Sequence, residues 1–158
     1  MTVVMTPKEP VWNWTLKPGG RLEIYRGVPY NGYDGGGNCA TLTLSEATKI
    51  AIQLDLDSLA FFDVSPGFWI QISPGESFFL NGSTPVEVYT IPAGTSNVSF
   101  DVTIFAKSDI TEPKSGTALI NVRIGSATGE IVGTFKINYT ITPEGVVTGT
   151  LEVHAYQG

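Results

Sequence analysis

Strict alternation of apolar and polar residues constrains this chain more than any other feature. Val86 and Val88, then Val98, Phe100, Val102 and Ile104, recur every second residue, the period of a strand with one buried face. Between the two runs lies Pro92-Ala93-Gly94-Thr95-Ser96. Proline fixes φ and removes a donor, and glycine permits positive φ, so a turn is expected there. Further on, Phe135, Ile137, Tyr139 and Ile141 share one face, with Lys136, Asn138 and Thr140 on the other. Ala118, Ile120, Val122 and Ile124 repeat the pattern, as do Leu151, Val153 and Ala155. One dry and one wet face per strand is what an antiparallel sandwich sheet requires.

No stretch of ten or more residues carries the 3.6-residue spacing of a helix, so nothing helical beyond single turns is expected. Strands are expected near 11–16, 21–26, 39–45, 48–56, 59–64, 68–73, 77–80, 85–91, 97–106, 117–124, 130–141 and 146–156, each bounded by Gly, Pro, Asn or Asp. Short strands so closely spaced define an all-β fold, an antiparallel β-sandwich. Periodicity does not give strand order, which leaves an Ig-like topology with a jelly roll as the alternative. The 158 residues suit one domain. Residues 39–158 are expected to form the sandwich. Residues 1–38 form an aromatic N-terminal arm and a Gly/Tyr loop, either within that domain or attached to it.

Charge excludes some partners. Lys and Arg number 9 against 15 Asp and Glu, a net charge of −6, and no two basic residues are adjacent. A nucleic-acid backbone needs clustered Lys and Arg, so none is expected to bind. Only 15% of residues are charged, against roughly 25% in ordinary domains. Thr, Ser, Gly and Asn replace them, as on proteins that face the exterior or bury surface against neighbours. No apolar run reaches the roughly 18–20 residues of a membrane span, so no membrane insertion is expected. The start, MTVVMTPKEP, lacks the charged-then-apolar pattern of a signal peptide.

Four asparagines, Asn13, Asn81, Asn97 and Asn138, stand in Asn-X-Ser/Thr sequons and are glycosylation candidates. Trp12, Trp14, Tyr25, Tyr30 and Tyr33, with Asn31, gather in the arm and its glycine-rich loop. Flat aromatic faces stack on sugar rings, and Trp and Tyr are enriched at protein interfaces. This set therefore supplies interface or glycan-binding candidates, with plain core and turn chemistry as the bland reading. The strand carrying Trp12 and Trp14 either closes the sandwich or pairs with a neighbouring subunit.

Catalytic and metal chemistry finds no constellation. Cys39 is the one cysteine and reads as a small buried residue. Asp55 and Asp57 share a strand face near Asp63, with Asp34 and Asn38 in the glycine loop, but they make no full calcium-ligand loop, so solvated carboxylates are expected. Glu152 and His154 share a face of the last strand without a nucleophile that would complete a triad. No catalytic residue, metal or cofactor is expected.

The run TIPAGTSNVSFDVTI at 90–104, followed by GTALINVRI at 116–124, resembles the Ig-like and fibronectin-like modules of prokaryotic and viral surface proteins. The resemblance covers a quarter to a third of the chain. Such modules are spacers, adhesins or assembly units without fixed catalytic residues. It implies a place on an outer surface. With the alternating strands, low charge, sequons, aromatic arm and missing catalytic set, the expectation is a non-enzymatic structural, assembly or attachment module in an extracellular, cell-surface or virion location. The partners it implies are further copies of the chain or other surface or virion proteins. A carbohydrate-binding β-sandwich with a glycan ligand is the alternative.

Overall fold

A computed structural model describes residues 3–6, 8–24, 41–44, 48–64, 68–73, 77–91, 97–143 and 148–151. Its strands are β1 (Val3–Thr6), β2 (Val11–Leu16), β3 (Arg21–Ile24), β4 (Thr41–Leu44), β5 (Thr48–Leu54), β6 (Phe68–Ser73), β7 (Ser77–Leu80), β8 (Val86–Ile91), β9 (Asn97–Phe105), β10 (Lys114–Ile124), β11 (Ile131–Ile141) and β12 (Thr148–Leu151). One 3-10 helix, Leu56–Leu59, follows β5. The chain is an all-β sandwich of two six-stranded sheets.

The first sheet runs β1-β4-β9-β6-β7, with β3 also paired to β9. Ile24 of β3 lies opposite Val102, and Thr41 of β4 lies opposite Ser99. Three residues along β9 thus correspond to 17 along its partner, 14 more than an unbroken strand would use. β3 and β4 are one strand interrupted by residues 25–40. The second sheet runs β12-β2-β11-β10-β5-β8.

With β3 and β4 counted as one, the order matches the immunoglobulin plan. One sheet there carries the first, second, fifth and fourth strands, and the other carries the third, sixth and seventh. β1, β3/β4, β9 and β6 fill the first set, and β5, β10 and β11 the second. β7 and β8 are additions between the fourth and fifth strands. Among the described residues the ladders are antiparallel except one: β2 runs parallel to β11, Trp12 opposite Ile137 and Leu16 opposite Ile141. On its other side β2 pairs antiparallel with β12. The arm strand is therefore inserted between two strands that are consecutive in the chain.

Alternation on β10 and β11 fills the core as expected. Ala118, Ile120, Val122, Phe135, Ile137, Tyr139 and Ile141 are all buried. They meet Leu42, Phe68, Leu80 and Ile104 of the first sheet. At the centre the Phe62 ring meets Tyr139 edge-on, 4.9 Å between centroids at 84°, and Phe68 at 6.3 Å and 66°, the arrangement that aromatic quadrupoles favour. Gly116 makes room for this cluster, since a Cβ there would stand 2.8 Å from the Tyr139 hydroxyl. Burial pushes the Tyr139 phenol above its ordinary pKa.

The runs at 85–91 and 97–106 lie in different sheets. Two expectations need correction. The apolar face of β8 is the reverse of the one expected: Val88 is 46% exposed, while Tyr89 and Ile91 are buried. Register decides this, because Tyr89 lies opposite Ile50, whose side chain is wholly in the core. Finally, 59–64 is no strand. Leu59 ends the 3-10 helix and Phe62 makes a single bridge to Ala106. The expected common strand face for Asp55 and Asp57 disappears with it, because β5 stops at Leu54.

Candidate functional site

The outward face of the second sheet is a field of amides and hydroxyls. Asn138 on β11 donates from Nδ2 to Asn13 Oδ1 on β2 (3.1 Å), and its own Oδ1 accepts from Thr117 Oγ1 on β10 (2.8 Å). Register explains the chain of contacts, since Asn13, Asn138 and Thr117 stand directly opposite one another across three strands. Two rows along, Thr134 Oγ1 donates to Asn121 Oδ1 at 2.9 Å. Lys136 pairs with Glu9 at 3.2 Å, an exposed ion pair worth little.

At the β5 end this face descends into a cleft of about 400 Å³. Its sheet wall is Gln53, Asn121 and Arg123; its other wall is Asp55 and Asp57, with Leu56 and Pro85 at the rim. A β-bulge aims the guanidinium. Val122 pairs with Gly133 and Arg123 with Ile131, so Val132 is the extra residue; bulges of this kind redirect side chains. Arg123 Nε then donates to Gln53 Oε1 and Nη1 to the Gly129 carbonyl, both at 2.8 Å.

The acidic wall is tied to β10 through one serine. Ser58 Oγ donates to the Asp55 carbonyl (2.7 Å) and accepts from Leu119 N–H (2.9 Å). Asp55 N–H also donates to the Leu119 carbonyl at 3.1 Å. The Asp55 carboxylate caps the 3-10 helix by accepting from Ser58 N–H at 3.4 Å. Asp57 lies exposed in the first turn. Among the described residues no group of three or more His, Cys, Asp and Glu could hold a metal.

The sequence candidates are scattered. Trp14 is 3% exposed and Leu16 wholly buried. Trp14 is therefore a core residue and not a presented interface or stacking group, because it shares the inward face of β2 with Leu16 and lies opposite the buried Tyr139. Trp12 stands on β2 opposite Ile137 and Leu151. Tyr25, Tyr30, Asn31 and Tyr33 lie outside the described residues, as do Asp34, Asn38, Cys39, Glu152 and His154. Asn13 and Asn138 sit mid-sheet, bonded to each other. Asn97 opens β9 opposite Thr43. Asn81 occupies a turn, where its Oδ1 accepts from Ser83 N–H (2.9 Å) and Thr84 N–H (2.8 Å). Gln53, Asn121 and Arg123 escaped sequence reasoning. The available signal was Asn121 and Arg123 two apart on the polar side of GTALINVRI, the side also bearing Thr117 and Leu119.

No known protein family matches the sequence, and no curated protein matches it. Solved structures of similar shape exist. The N-terminal domain of PorA is 12% identical, with a TM-score of 0.42 over 91% of this chain and 100% of that one. The CupB6 tip adhesin from Pseudomonas aeruginosa is 9% identical, with a TM-score of 0.46 over 88% of this chain and 43% of that one. The collagen-binding domain of a Staphylococcus aureus adhesin is 12% identical, with a TM-score of 0.35 over 84% of this chain and 96% of that one. Among the described residues no helix is long and apolar enough to cross a membrane.

Proposed function

We propose that this chain is a non-enzymatic assembly or attachment module on the exterior of a cell or virion, joined through its sheet edges to further copies or to other surface proteins. The carrying observation is the character of those edges. Of the four path-ending strands, the three with described side chains each present an exposed apolar residue: Val4 on β1 (48%), Phe79 on β7 (49%) and Val88 on β8 (46%). Solitary proteins blunt such strands with Lys, Pro or bulges, because an open edge recruits another strand. β1, with the sequence VVMT, carries no charge at all.

The low charge of the chain and its neutral outward face support the same reading, since both suit close packing against neighbours. Tyr25, Tyr30, Asn31 and Tyr33 belong to the proposal as contact residues, being on the segment that lies in sequence between Ile24 of β3 and Thr41 of β4. The test is sedimentation velocity and negative-stain microscopy over a micromolar to submillimolar range, with Val4→Lys and Val88→Lys beside the wild type. Concentration-dependent association that either lysine weakens about tenfold or more is expected. A chain that stays monomeric throughout, or associates regardless of both lysines, overturns the edge reading.

A further inference from the structure

We propose that the cleft between β10 and the 3-10 helix binds the hydroxyl groups of a saccharide. This deepens the attachment reading, on which it rests, by naming the chemistry of what is attached. The argument is an accounting of donors and acceptors. On the sheet wall the oxygens are already committed: Gln53 Oε1 to Arg123 and Asn121 Oδ1 to Thr134. An amide whose oxygen is held from one side offers its NH2 from the other. Gln53 and Asn121 line the cleft, and their NH2 groups are donors available there beside the remaining guanidinium N–H groups of Arg123.

The charged side chains of the opposite wall are acceptors. The Asp55 carboxylate is engaged by a single long bond, and Asp57 is exposed at the lip. A ligand that engages both sets of side chains gives protons to one wall and takes them from the other. Vicinal hydroxyls do this, each donating to a carboxylate while accepting from an amide. A simple anion meets two carboxylates against one guanidinium, and a simple cation meets a row of N–H groups. Leu56, 38% exposed, and Pro85 supply an apolar rim for the C–H side of a pyranose ring. The walls are also preorganised, because Ser58 and the Arg123 bulge fix them before any ligand arrives.

The test is a glycan microarray probed with the labelled full chain, with Asp57→Asn and Asn121→Ala in parallel and melting temperatures recorded for all three. Asp57 makes no side-chain contact that the fold depends on, so Asp57→Asn retains the wild-type melting temperature. The wild type is expected to bind at least one glycan, and Asp57→Asn to weaken that binding about tenfold or more, the loss of a charge-assisted hydrogen bond. An array blank for the wild type, or glycan binding that both variants leave unchanged, overturns the assignment. A blank array beside lysine-sensitive self-association removes the saccharide and leaves the edge reading standing.

Discussion

Gly133→Ala tests how the N-terminal strand is anchored. Gly133 sits on β11 facing inward, and a Cβ there would fall within the sulfur radius of Met5 from β1 and 2.9 Å from the Lys8 carbonyl oxygen. That carbonyl is not at liberty to move, because it accepts Thr134 N–H at 3.0 Å. Met5, 3% exposed, must retreat by on the order of 1 Å or leave the core. Overpacking costs about 1–3 kcal/mol, and losing the burial of one methionine about 1.5–3 kcal/mol. Either route predicts a loss near 2–3 kcal/mol, which lowers the melting temperature by roughly 4–12 °C at this chain length. Urea unfolding of Gly133→Ala, Met5→Ala and the double variant apportions the effect. Met5→Ala alone costs about 2–5 kcal/mol. The two changes should couple by about 1 kcal/mol or more, because removing the sulfur relieves most of the clash. Additivity within about 0.5 kcal/mol would refute the reasoning, as would a melting temperature for Gly133→Ala equal to the wild type.

Three further outcomes are expected. Ser58→Ala strands the Leu119 N–H and loosens the acidic wall, costing about 1–3 kcal/mol in urea unfolding; a cost indistinguishable from zero means the serine bridge is not formed. For Tyr139 the folded pKa is raised, so its contribution is complete below the unfolded value of about 10 and is lost as pH climbs from there through the folded value. The wild-type melting temperature should therefore fall more steeply above about pH 10 than that of Tyr139→Phe; parallel curves contradict it. Peptide mapping of material from its natural source should find sugar on Asn81, in a turn, and none on Asn13 or Asn138, whose amides are engaged mid-sheet; a glycan on Asn138 refutes this.

The sheet interior was readable because β10 and β11 each have neighbours on both sides and one uniformly buried face, so alternation alone identified Ala118 through Val122 and Phe135 through Ile141. β8 defeated the same rule. It ends its sheet, so Val88 has no strand beyond it, and the buried face is chosen where Tyr89 meets Ile50, a contact that local spacing does not record. Leu59-Ala60-Phe61-Phe62 read as a strand because an apolar run without alternation fits a buried strand and a packed turn equally well. The cleft was harder still. Gln53, Asp55 and Asn121 meet only through the β5–β10 register, and Arg123 is aimed by one extra residue on β11. Trp12 and Trp14 stood as interface or glycan-binding candidates with core packing as the alternative, and the face of β2 shared with Leu16 assigns Trp14 to the core.

The threading of β2 between β11 and β12 has a consequence for how the polypeptide comes into being. The ribosome emits Val11–Leu16 more than a hundred residues before its partners at Lys136–Ile141, and pairings so remote in sequence slow folding. Until they arrive, a tryptophan-bearing ribbon waits with both flanks open, a standing invitation to premature contacts between nascent chains. The second sheet can be sewn shut only after Lys136–Ile141 and Thr148–Leu151 have left the ribosome.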